Sequence, residues 1–171
     1  MVTLLKPVAF TYNPWNKTEY YRDKGHINIW VSIFSSINRF KRVFLVFDTG
    51  AFISVLMRET AEQIGLPLTG IYSANLNGFN KDRGSDEAEI VVASKIEIGK
   101  IIVEDVKILV PLEDIEIPEV IGENVLEYFS YNVDRETDNI YFKKNPNPNP
   151  YINEEKGIDL SCGRLLLQDM T

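Results

Sequence analysis

The most restrictive feature of this chain is an apolar run that ends on a carboxylate. Val43-Phe44-Leu45-Val46-Phe47 leads directly into Asp48-Thr49-Gly50-Ala51, and that tetrapeptide occurs once. Five consecutive apolar residues read as a strand with both faces covered, so the acid stands where the backbone leaves the core and must turn. Two facing carboxylates that share one proton can activate water, because like charges about 3 Å apart cannot both ionise. One chain supplies one such Asp. The simplest way to complete the pair is two-fold symmetry, in which the same loop of a second copy meets the first across a closed axis. Asp48 would then face Asp48 of its partner.

A second signal follows about seventy residues later, where Val120-Ile121-Gly122 runs into Glu123-Asn124-Val125-Leu126-Glu127-Tyr128-Phe129. With Ile53-Ser54-Val55-Leu56 behind the acidic turn, the two elements in this order resemble the retropepsin-like aspartic peptidases, the single-domain, homodimeric relatives of pepsin, of bacterial type. The likeness spans roughly His26 to Phe142. It implies a mainly β, closed-barrel fold with one or two short helices, and an endopeptidase whose catalytic carboxylate is Asp48. It also implies that Val120 and Ile121 back the acidic loop and that Gly122 lets that strand pass close to it. By position, a hairpin over the substrate falls between Gly65 and Glu89, with its tip at Asn77-Gly78-Phe79 or Asp82-Arg83-Gly84.

Composition removes several other chemistries. The 171 residues, 44% of them apolar, suit one ordinary domain with a real core. A net charge of -7 gives no basic footprint for nucleic acid. One cysteine, Cys162, and one histidine, His26, cannot build a Cys/His zinc site or an internal disulfide, so neither metal nor cofactor is expected. The N-terminus has no signal-type leader and no window reaches the 18 or so apolar residues of a membrane helix. The expected setting is the cytoplasm, away from membranes.

Along the chain, residues 1–25 are polar and aromatic with Pro7 and Pro14 and read as an irregular arm or edge strand. Residues 26–144 form the domain. Within it, Ile27, Ile29, Val31 and Ile33 alternate with polar positions, so Ile27 to Phe47 reads as a hairpin that delivers Asp48 at its far end. Phe52 to Met57 reads as a short strand. Arg58 to Ile64 suits a helix stopped by Gly65, with Pro67 just beyond. Glu89 to Ile98 and Ile101 to Leu112 read as two strands joined at Gly99-Lys100. Residues 145–171 are an alternating Asn/Pro linker and a Leu-rich tail, which either docks on its own or a partner's surface or stays loose. Trp15 and Trp30 are expected in the core or at an interface.

The neighbours of Asp48 have physical roles. Gly50 allows a tight turn that brings amide protons to the carboxylate, and by resemblance Thr49 hydrogen-bonds across the dimer axis. Ala51 presents a methyl where pepsin-like sequences often carry a hydroxyl, which predicts a working pH nearer neutral than pepsin's. An extended peptide is the expected substrate. The alternative function is a non-catalytic dimeric peptide-binding or scaffold module on the same fold. An acidic turn after a strand also opens phosphotransferases of the haloacid dehalogenase type, but Gly50 occupies the place of their second Asp.

Overall fold

The computed structural model describes residues 17–71, 74–76, 86–145, 152–153, 158–159 and 164–167. In chain order the elements are β1 (Lys17–Asp23), β2 (His26–Phe34), β3 (Phe40–Phe47), β4 (Ser54–Val55), α1 (Arg58–Ile64), β5 (Ala74–Leu76), β6 (Asp86–Ile98), β7 (Ile101–Pro111), β8 (Val120–Ile121), α2 (Glu123–Leu126), β9 (Phe129–Asp134), β10 (Asn139–Lys144), β11 (Ile152–Asn153), β12 (Ile158–Asp159) and β13 (Arg164–Leu167).

Alternation decides the first hairpin. β2 and β3 pair antiparallel with Ile29 opposite Leu45 and Val31 opposite Val43, which puts these four on one face, all of them buried. β3 runs parallel to β8, β8 antiparallel to β4, β4 parallel to β7, and β7 antiparallel to β6, which returns to β2 through Ser32, Ile33 and Phe34. The circuit is a closed six-stranded barrel, a mainly β architecture with two short helices. Its interior is filled by Val31, Ile33, Leu45, Ile96, Val106 and Ile108, each of which stabilises the fold by about 1.5–3 kcal/mol relative to exposure.

α1 ends where its sequence stops it. Gly65 adopts the left-handed conformation, φ 77°, and its N–H reaches the carbonyls of Ala61 and Glu62. The helix buries Ala61 and Ile64 against the barrel.

Two elements depart from the sequence reading, and at two further places the structure narrows alternatives that the sequence left open. Lys17–Asp23 is a strand that links two partners, Lys17–Glu19 pairing with β10 and Tyr20–Asp23 with β2, so the ladder holds it although only Tyr20 of its side chains is buried. The strand expected over Phe52 to Met57 shrinks to Ser54–Val55, since the carbonyls of Ala51 and Phe52 bind helix amides instead of a neighbouring strand. Trp30 is not in the core. It lies 36% exposed on the outer face, packed on Phe44 at 4.9 Å with the Arg42 guanidinium 5.0 Å from its ring. At the other end of the chain, β13 adds antiparallel to β7, with Leu165 opposite Val103.

Among the described residues no helix is long and apolar enough to cross a membrane. Trp15 and Cys162 lie outside the described residues.

Candidate active site

Two segments far apart in sequence meet at Asp48. β8 lies beside the end of β3 in parallel register, Val46 opposite Val120 and Phe47 opposite Ile121, and the Asp48 N–H continues the ladder to the Ile121 carbonyl at 3.1 Å. The backbone then turns. The Gly50 N–H donates to Asp48 Oδ1 at 2.8 Å and the Ala51 N–H to the Asp48 carbonyl at 3.4 Å. The carboxylate is therefore half-buried, oriented by its own loop, and flanked by the exposed Thr49 and Gly50.

The loop next serves as a cap. α2 is too short to satisfy its own first amides. The Ala51 carbonyl accepts from Glu123 N at 2.7 Å and the Phe52 carbonyl from Asn124 N at 3.1 Å. Gly122, at the N-cap of α2, is pressed against two backbone carbonyls: a Cβ there would stand 2.7 Å from the Ala51 oxygen, 2.7 Å from the Ile53 carbonyl carbon and 2.8 Å from its oxygen. No side chain fits without moving backbone.

Behind the loop lies a buried polar knot that the sequence reading missed. Asn124 Oδ1 accepts from both the N–H (2.8 Å) and the hydroxyl (3.0 Å) of Ser54, and its Nδ2 donates to the Lys107 carbonyl of β7 at 2.8 Å. Ser54 Oγ in turn accepts from Gly122 N at 3.1 Å. Both side chains are buried, so each unmet bond would carry a desolvation penalty. One signal was available: Ser54 interrupts the run Ile53-Ser54-Val55-Leu56, and a hydroxyl in a covered strand must have a partner.

Around the knot, Ala51 and Ile53 share an apolar cluster with Ala88 and Ile90 of β6 and with Leu109, Ile117 and Val120. On the other side of the loop, Tyr131 of β9 stands edge-on to Phe47, centroids 5.0 Å apart. Burial, then the Glu123 charge, push the Tyr131 phenol above its ordinary range, while a hydrogen bond with Thr49 pulls it back. Burial likewise raises the Glu123 carboxyl. Nothing in the sequence pattern marked Tyr131.

Asp48, Thr49, Gly50, Ala51, Val120, Ile121 and Gly122 thus lie together in the fold. Asn77, Gly78, Phe79, Asp82, Arg83 and Gly84 lie outside the described residues. The hairpin stem that leads to them is described: β5 pairs with β6 as Ala74 opposite Ala88, Asn75 opposite Glu87 and Leu76 opposite Asp86. No three His, Cys, Asp or Glu side chains gather as a metal site among the described residues.

The family model described as gag-polyprotein putative aspartyl protease matches residues 34–128, a span that takes in the acidic loop, the Gly122 crossing and α2. The chain belongs to this family. No curated protein matches it. Among solved structures, it is similar to a retropepsin-like aspartic protease from Rickettsia conorii, at 27% identity and a TM-score of 0.52, over 74% of this chain and 87% of that one. The retropepsin-like fold therefore accounts for the barrel, the parallel β3–β8 contact and the short helix behind it.

Proposed function

We propose that the protein is a homodimeric aspartic endopeptidase in which the two copies of Asp48 hold one hydrolytic water. The observation that carries this is the Asp48 carboxylate at the open end of a buried strand, oriented by the Gly50 N–H at 2.8 Å and backed by β8, with its flanking residues exposed. In the dimer, the ionised Asp48 takes a proton from water while its protonated twin donates to the substrate carbonyl, and the roles exchange as the amine leaves. Thr49 hydrogen-bonds across the axis and Gly50 leaves room for the opposite loop. An extended peptide lies along the β5–β6 hairpin, adding main-chain hydrogen bonds in the manner of an extra strand. The cytoplasm is the proposed setting.

The test is cleavage of an unfolded protein or a peptide library. Cleavage should stop with Asp48→Asn and with a statine-type transition-state mimic, and the cleaving species should sediment as a dimer. A strict monomer, or cleavage that survives Asp48→Asn, would overturn the proposal. Dimeric peptide binding without cleavage would instead favour a scaffold.

A further inference from the structure

Glu89 is the only buried charged side chain among the described residues, 1% exposed. A carboxylate removed from water must be met by donors, and Glu89 is met by several. Its Oε2 accepts from Thr69 N at 2.7 Å and Thr69 Oγ1 at 2.8 Å, its Oε1 from Gly70 N at 3.1 Å, and Arg58 Nη1 stands 3.5 Å from Oε1. The donors come from the first residue of α1 and from the segment between α1 and β5. Strand alternation gives β6 two functions here. Ala88 and Ile90 pack in the cluster that holds Ala51 and Ile53 of the acidic loop, while Glu89 between them grips the segment on the opposite face. The rung Ala74–Ala88 lies immediately beside this grip.

We infer that Glu89 is a positioning residue for substrate: its carboxylate fixes where the β5–β6 stem leaves the barrel, and so sets the separation between that stem and the Asp48 loop. This deepens the peptidase reading and rests on it. A neutral isostere tests it sharply, because Gln in place of Glu exchanges one of the two accepting oxygens for an NH2, which cannot accept from the donors on that side.

In the full chain at pH 7, Glu89→Gln should speed hydrogen exchange at the Thr69 and Gly70 amides by at least about tenfold, leaving Val31 and Val43 in the β2–β3 ladder unchanged. For peptide cleavage, KM should rise about tenfold at constant kcat, the pattern of lost substrate positioning. A merely structural role would instead accelerate exchange in β2–β3 as well. Unchanged exchange and KM in a folded Glu89→Gln chain overturn the inference and leave the peptidase reading intact. A wild-type chain that cleaves no peptide overturns the peptidase reading, and the inference with it, even if exchange at Thr69 and Gly70 responds. Should Glu89→Gln not fold, Thr69→Ser and Thr69→Val decide together: Val removes the hydroxyl that donates to Oε2 and accepts from the Ile71 N–H, Ser keeps it, so exchange at Gly70 and KM should each rise about threefold in Val and stay near wild type in Ser, and no change in Val overturns the inference.

Discussion

Two buried polar junctions hold this molecule together, and they differ in charge. At the acidic loop, Ser54, Asn124 and the Gly122 amide interlock without a formal charge. At the hairpin stem, Glu89 gathers Thr69, Gly70 and Arg58 around a full negative charge. The neutral knot holds its geometry at any pH at which the chain is folded. The charged grip works only while the carboxylate is ionised. The acidic loop is thus fastened by groups that do not titrate, and a segment nearer the surface by one that does.

The largest effects are expected at the neutral junction. Gly122→Ala forces a methyl to 2.7 Å from two backbone atoms, and a loss of about 3 kcal/mol or more in denaturant unfolding is expected, with the proposed peptidase activity falling together with stability. Next, Asn124→Ala strands the Ser54 N–H and hydroxyl and the Lys107 carbonyl. It should cost about 2–4 kcal/mol, and the loss should be the same at pH 5 and pH 8 in chemical denaturation.

The charged side predicts a pH signature. Burial pushes the Glu89 carboxyl up, but the bonds from Thr69 and Gly70, with Arg58, overcome it and hold the group below the usual carboxylate range. A carboxyl depressed in the folded state stabilises above its unfolded value and loses that contribution as pH falls through its folded value. Thermal melts of wild type should therefore fall on acidification below the ordinary carboxylate range, and the corresponding part of the fall should be missing in Glu89→Gln. Glu123 has the opposite sign. Its carboxyl is raised by burial, so ionisation costs stability as pH rises past the unfolded value, and Glu123→Gln should raise the melting temperature slightly at pH 7 but not at pH 3. The smallest effect is expected at Ala51→Ser, whose added hydroxyl should move the optimum of the pH–rate profile in the acid direction without altering the melt.

These contrasts also explain what could be read from the chain. The helix over Arg58–Ile64 and its stop at Gly65 were legible because propensity, cap and the following proline agree locally. The β2–β3 hairpin and its delivery of Asp48 were legible because one face alternates cleanly. β1 was not, since a strand with one buried side chain has no apolar period to detect and owes its place to β2 and β10. The β9–β10 hairpin went unread for a related reason: it turns on Asp134, which accepts from Glu136 N and Thr137, a signal weaker than an Asn-Gly pair. At the site, the tetrapeptide and Gly122 stood out as motifs. Ser54 with Asn124, and Thr49 with Tyr131, are pairings between positions some seventy or more residues apart, which no local pattern encodes.

The parallel contact between β3 and β8 has a further consequence for timing. A ladder joining Val46 to Val120 closes a long loop, and such contacts form late because chain entropy must be lost before the contact is gained. A nascent polypeptide that has emerged only as far as the hairpin already carries the acid but has no wall behind it. Under the proposed function, the acid would then meet its backing strand only in the final stages of folding, and hydrolysis would wait for the whole domain and its dimer.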